Sequence, residues 1–182
     1  MRHSKGFTLI ELMIVIVVIG VLAAMMMMSS TEAADIARAN NIMSNLEIMR
    51  KAVLSYRADH YDDLYPFFGK DNAENAKMQE DVKKYIGDNK PDLKYYDVTI
   101  VHWDDYNLWF VRYRNNELAE KKGIRTRLEG QAKSRGLYCG NNALHSGTYC
   151  TAPKGDTIDN YAEKYTYTAD NSYPALVLMR AF

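Results

Sequence analysis

The chain has 182 residues, with 23 basic and 23 acidic side chains and a formal net charge of zero. That balance argues against a partner recognised by broad electrostatic attraction, nucleic acid foremost. There is no internal repeat or low-complexity tract. Once the apolar N-terminal stretch is set aside, about 150 residues remain, enough for one domain with its own core.

The first element is the most informative. From Phe7 to Met28 there is no Lys, Arg, Asp, Asn, Gln, His or Pro, and Glu11 is the only ionisable side chain. As a helix this stretch is about 33 Å long, which matches a hydrocarbon core of about 30 Å. A secretory signal has a shorter apolar region that ends at a small-residue cleavage site. Here the apolar run is longer and Gly6 precedes it, so a retained membrane helix is the better reading. Arg2 and Lys5 in front of the span place the N-terminus in the cytoplasm. An acid inside a span is costly and marks a functional site; the plainer alternative is solvation at headgroup depth. A cut after Gly6 would leave a cationic amine on Phe7, one helical turn from Glu11. The two charges can pair within one chain or between chains, and a pair between chains would fix axial register.

Gly6-Phe7-Thr8-Leu9-Ile10-Glu11 followed by an apolar helix resembles the N-terminus of type IV pilins and type II secretion pseudopilins. The resemblance implies cleavage by a prepilin peptidase between Gly6 and Phe7 and N-methylation of Phe7. It also implies that Glu11 meets the Phe7 amine of a neighbouring subunit during filament assembly. The fold expected is α+β, the pilin fold: a long N-terminal transmembrane-amphipathic helix packed on an antiparallel β-sheet head. Residues 1–6 are then the leader, 7–28 the transmembrane and assembly helix, and 29–182 the amphipathic half of the helix plus the head. One departure is visible. Many relatives carry a proline near the end of the span, where this chain has Met25-Met26-Met27-Met28. Methionine favours helix and a proline kink is not available. Gly20 is a weaker site of bending. Ser29-Ser30-Thr31-Glu32 fits a capping box that would let a broken helix restart, but a continuous helix is the favoured reading.

Past Ser29 the pattern turns amphipathic. Ile42, Leu46, Met49, Val53 and Tyr56 form one apolar stripe, so the helix is expected to continue to about His60, with Asp62, Asp63 and Pro66 ending it. A short helix follows, capped by Asp71 or Asn72, anchored by Met78, Val82 and Ile86 and stopped at Gly87. Tyr95 to Trp103 and Leu108 to Arg114 read as an antiparallel hairpin turning over Asp104 to Asn107, with Tyr96, Val98 and Ile100 on one face. Its aromatic density fits a sheet packed on the long helix better than a ligand platform. Glu117 to Arg135 is charged and interrupted by Gly123 and Gly130, with Ile124 and Leu128 as a modest anchor and one short helix expected. Lys121, Lys122, Arg125, Arg127, Lys133 and Arg135 could form a nucleic-acid patch, but Glu117, Glu120 and Glu129 dilute it. Tyr165 to Thr168 and Ala175 to Phe182 read as strands around a turn at Asp170-Asn171-Ser172. Pro174 suits a strand start, and Leu176 to Met179 suits a central or well-covered strand.

The two cysteines, Cys139 and Cys150, lie outside the cytoplasm in this topology. They read first as a disulfide closing a Gly-, Asn- and Ser-rich loop, and a C-terminal disulfide-bounded region in pilins agrees with that. His145 raises zinc as the alternative, without a recognisable ligand spacing. Asp156, Asp159 and Glu163 could line a calcium loop, though a solvated acidic loop is the plainer reading. His102 sits in a strand. No enzyme motif of the G-x-S-x-G, H-E-x-x-H or P-loop kind occurs, and neither enzymatic activity nor a cofactor is expected.

The function expected is structural: a subunit of a type IV pilus-like filament, polymerised through its N-terminal helix. Its partners would be a prepilin peptidase, identical or related pilin subunits, an assembly platform protein and a motor ATPase. Its location would be the bacterial inner membrane, single-pass with the N-terminus in the cytoplasm, and then an extracellular or periplasmic filament. A type II secretion pseudopilin is the alternative within the family. The rival of another class is a binding protein or enzyme that uses the helix as a tether, for which Glu11 would be dispensable.

Overall fold

The computed structural model describes residues 7–60, 72–88, 91–103, 106–139, 149–151, 166–170 and 176–181. The leader, the helix stop at Asp62, Asp63 and Pro66, Asp71, the loop holding His145, the acidic trio and Pro174 lie outside them. Nine elements order the rest: α1 (Leu9–Asp59), α2 (Asn72–Lys83), β1 (Tyr96–Trp103), β2 (Tyr106–Arg114), α3 (Asn116–Glu120), α4 (Lys122–Arg135), β3 (Leu137–Cys139), β4 (Tyr149–Thr151) and β5 (Leu176–Arg180).

Helix α1 is continuous over 51 residues, about 76 Å. It runs unbroken through the methionine run, as the absence of proline allows, and Ser29 starts no new helix. The two halves live in different environments. In the first, an 18-residue apolar window has none of its residues buried by the chain. In the second, Ile42, Leu46, Met49, Val53 and Tyr56 are each 3 % exposed or less. Apolar residues spaced at three and four fall on one helix face, which is why the stripe is buried while Asn40, Asn41 and Lys51 remain in solvent.

That face packs on a sheet of order β3-β5-β2-β1-β4. The first four strands are antiparallel neighbours, and β4 joins the far edge parallel to β1. Period-two alternation sorts the side chains. Tyr96, Val98, Ile100, Trp109, Val111, Tyr113, Val177 and Met179 join the core shared with α1. Thr99, Phe110, Arg112 and Leu178 alternate with them and are buried too. On that second face Arg112 donates across the β1–β2 pair to Asp97 at 2.6 and 2.5 Å. Strand β5 is interior and buried on both faces, so its run Leu176-Val177-Leu178-Met179 is continuously apolar rather than alternating. Below its short pairing with β4, β1 would be an open edge. There the Gln79 side chain of α2 accepts from the Val98 N–H at 3.0 Å and donates to the Val98 carbonyl, standing in for a strand partner.

Four expectations are corrected. The hairpin is tighter than expected, with Trp103 opposite Tyr106. Of the strand expected over Tyr165 to Thr168, the described residues from Thr166 onward form a single isolated bridge, Tyr138 to Thr166. Strands β3 and β4 were not expected. The charged segment forms two helices, and α4 passes through both Gly123 and Gly130. At Gly123 the absence of a side chain has a use: a Cβ there would lie 1.9 Å from Asp35 Oδ2 of α1. Buried Ile124, Leu128 and Ala132 hold α4 against α1, and this packing offsets the roughly 1 kcal/mol that each helical glycine costs. Gly136, at φ 63°, ends α4 in the left-handed conformation.

One buried polar contact predicts the alkaline behaviour of the head. Burial pushes the Tyr96 hydroxyl up to about 12, against a smaller opposite pull from the Asn45 amide that donates to it at 3.2 Å. In the unfolded chain the same group ionises near its ordinary value of 10. A raised folded value means that Tyr96 contributes fully below pH 10 and loses that contribution as pH rises towards 12. Thermal unfolding followed from about pH 9 to 12 should therefore show a shallower alkaline decline in Tyr96→Phe than in the parent chain.

Candidate functional site

The N-terminus of a helix leaves four backbone N–H groups without partners, and in hydrocarbon each costs several kcal/mol if unsatisfied. The sequence Thr8-x-x-Glu11 answers this locally. Thr8 is the extended N-cap residue; its hydroxyl accepts from the Glu11 N–H at 3.3 Å, and Glu11 Oε2 accepts from the Thr8 N–H at 2.8 Å. The Thr8 hydroxyl also donates to Oε2 at 2.8 Å. This reciprocal capping box fixes the carboxylate over the end of the helix, where the helix dipole favours negative charge. All the donors on Glu11 are neutral and all use one oxygen. Among the described residues Oε1 has no hydrogen bond and Glu11 has no ion pair, so one oxygen and a full charge stay open to a cation. Phe7 stands just before the cap, 90 % exposed.

Residues 1–27 match the prokaryotic N-terminal methylation motif. The chain carries the type IV pilin and pseudopilin signature. No curated protein and no solved structure matches the chain significantly, so the head is read from its own geometry. A pilin-type N-terminus of this kind implies processing by a prepilin peptidase and polymerisation with pilin subunits. With the apolar first half of α1 it marks a membrane-anchored structural chain.

Cys139 is free, and it lies on edge strand β3 while Cys150 lies on the opposite edge strand, β4. Four inter-strand steps of about 4.8 Å separate the edges, against a Cα limit of about 7 Å for a disulfide. Eleven positions apart in sequence, the cysteines are divided by the insertion of β5, β2 and β1 between their strands. Burial also raises the Cys139 thiol above its ordinary value. Among the described residues no group of three His, Cys, Asp or Glu side chains is placed to hold a metal.

The basic segment proves to be a clamp between α4 and its surroundings. Arg125 is buried and donates from Nε to the Ala169 carbonyl at 2.6 Å and from Nη1 to the Leu118 carbonyl at 2.9 Å and to that of Ala119. Arg127 pairs with Glu32 of α1, Lys122 with Asp170, Lys121 with Glu117 and Arg135 with Glu47. Arg38 of α1 donates to Glu117 at 2.9 Å, and this bond holds the Glu117 carboxyl below the usual carboxylate range. Five of the six cations that might have met a nucleic acid are thus engaged within the chain. The Thr8–Glu11 box and the burial of Arg125 both escaped the sequence reading. The first had a signal in its T-x-x-E spacing, and the second in the helical spacing of Arg125, Leu128 and Ala132.

Proposed function

We propose that the chain is the precursor of a structural subunit of a type IV pilus-like filament. One observation carries the reading: a pilin signature leads a continuous helix whose first half is left uncovered among the described residues and whose second half contributes one face of the head's core. Such a helix serves first as a membrane anchor and then, in the polymer, as the part that other subunits cover. In this reading prepilin peptidase cuts between Gly6 and Phe7, the new Phe7 amine is methylated, and the open oxygen of Glu11 takes the amine of a neighbouring subunit. Apolar helices leaving lipid gain little from the hydrophobic effect, so packing and this charge pair supply the specificity. Extraction from the inner membrane requires work, which assigns a platform protein and motor ATPase as partners.

Mass spectrometry of the mature protein tests the processing. A chain beginning at Phe7 with one added methyl group is expected, and a chain that keeps Met1 to Gly6 would refute the reading. Deleting the gene should remove surface filaments; loss of protein secretion with surface filaments intact would assign the chain to a secretion pseudopilus instead.

A further inference from the structure

Three arginines line one cavity where the middle of α1, the end of α4 and the end of β5 come together. Arg50, Arg135 and Arg180 line a cavity of about 400 Å³ with Ser134, Gly136 and Tyr138. Among the described residues Glu47 is the one acid paired with Arg50 and Arg135. Its carboxylate lies 3.7 Å from Arg50 Nη1 and 3.6 Å from Arg135 Nη1, too far for a hydrogen bond to either. Arg50 Nε is buried and has no hydrogen-bond partner, although the side chain as a whole is 40 % exposed. Arg180, half-buried at the end of β5, has no ion pair among the described residues. Gly136 leaves the cavity open beside them: the nearest atom to a Cβ at that position is a Tyr138 ring carbon 4.0 Å away.

Three cations against one anion, with an unsatisfied buried donor, describe a site that lacks an anionic ligand. We propose that this cavity binds an oxyanion, a carboxylate or phosphate group held by the planar donor forks of the arginines. Arg50 is 22 residues beyond Met28 on an unbroken helix, about 33 Å. That is well outside a headgroup layer of roughly 6 Å, so the group does not come from lipids of the chain's own membrane. The remaining sources are a small anion in solution and an acidic side chain of a second copy.

Calorimetric titration of the unassembled full-length chain in a nonionic detergent tests this, with inorganic phosphate and acetate as probes and ionic strength held constant with sodium chloride. Saturable binding of phosphate is expected, at least tenfold weaker in Arg180→Gln and in Arg135→Gln, with circular dichroism showing that each variant is folded. Arg135 is largely exposed, so its variant decides if Arg180→Gln fails to fold. Repeating the titration on assembled filaments separates the sources: binding that persists indicates a small anion, and binding lost on assembly indicates a neighbour's carboxylate. Absence of saturable binding to the unassembled chain, or binding unchanged in the folded variants, overturns the proposal.

Discussion

Glu11→Gln is expected to abolish filaments while leaving the chain inserted in the membrane with its head folded. Glutamine is the substitution to use because it can still close the capping box: its amide oxygen can accept from the Thr8 N–H as Glu11 Oε2 does. What it removes is the charge. If the open oxygen of Glu11 meets a cationic amine in the polymer, breaking that buried pair costs about 3–5 kcal/mol per contact. That is about a hundredfold or more in subunit affinity. Thr8→Ala is the complementary variant. It loses the hydroxyl that accepts from the Glu11 N–H, about 1 kcal/mol of helix-end stability, but keeps the charge and should still form filaments. Electron microscopy of surface filaments, with membrane fractionation as the control, separates the two roles. Wild-type filament numbers in Glu11→Gln would mean that Glu11 only caps its own helix, and would return the tether reading to the front.

What was legible in the sequence follows the range of the interactions involved. The stripe Ile42 to Tyr56 and the continuously apolar β5 could be read because burial of a long regular element leaves a local pattern. Strands β3 and β4 have three residues each and leave none; they exist because distant strands offer an edge. The placement of Cys139 and Cys150 on opposite edge strands was not legible for the same reason, since closeness in sequence says nothing of strand order. The α4 helix was underestimated because each glycine was counted as a break. Gly123 instead lies against Asp35 of α1, where a side chain would not fit. Charge misled at Arg125, where a basic run was read as surface although its spacing with Leu128 and Ala132 placed it on the inner face of α4. At Glu11 the charge and its place in the span were read, but the box it forms with Thr8 was not.

Arg125 is where the second large effect is expected: Arg125→Leu should destabilise the head by about 3–5 kcal/mol. The arginine is 9 % exposed, and its donors reach three backbone carbonyls on two segments. Leu118 and Ala119 lie in the last turn of α3, where carbonyls have no intrahelical partner. Ala169 belongs to the segment before β5. Leucine fills similar space but leaves these carbonyls unsatisfied, at about 1–3 kcal/mol for each that water cannot reach. Measured against a total stability of about 5–15 kcal/mol for a domain, that is about a fifth or more. Denaturant unfolding followed by the fluorescence of buried Trp109 should show an earlier midpoint. Arg125→Lys should fall between the two, because an ammonium keeps the charge but not the fork that spans Leu118 and Ala169. Because α1 enters the membrane through its own apolar half, the Arg125→Leu chain should still insert while its filaments fail for want of a folded head. A Leu variant within about 0.5 kcal/mol of the parent, the range of ordinary surface changes, would show that α3 and the Ala169 segment are held by apolar packing alone.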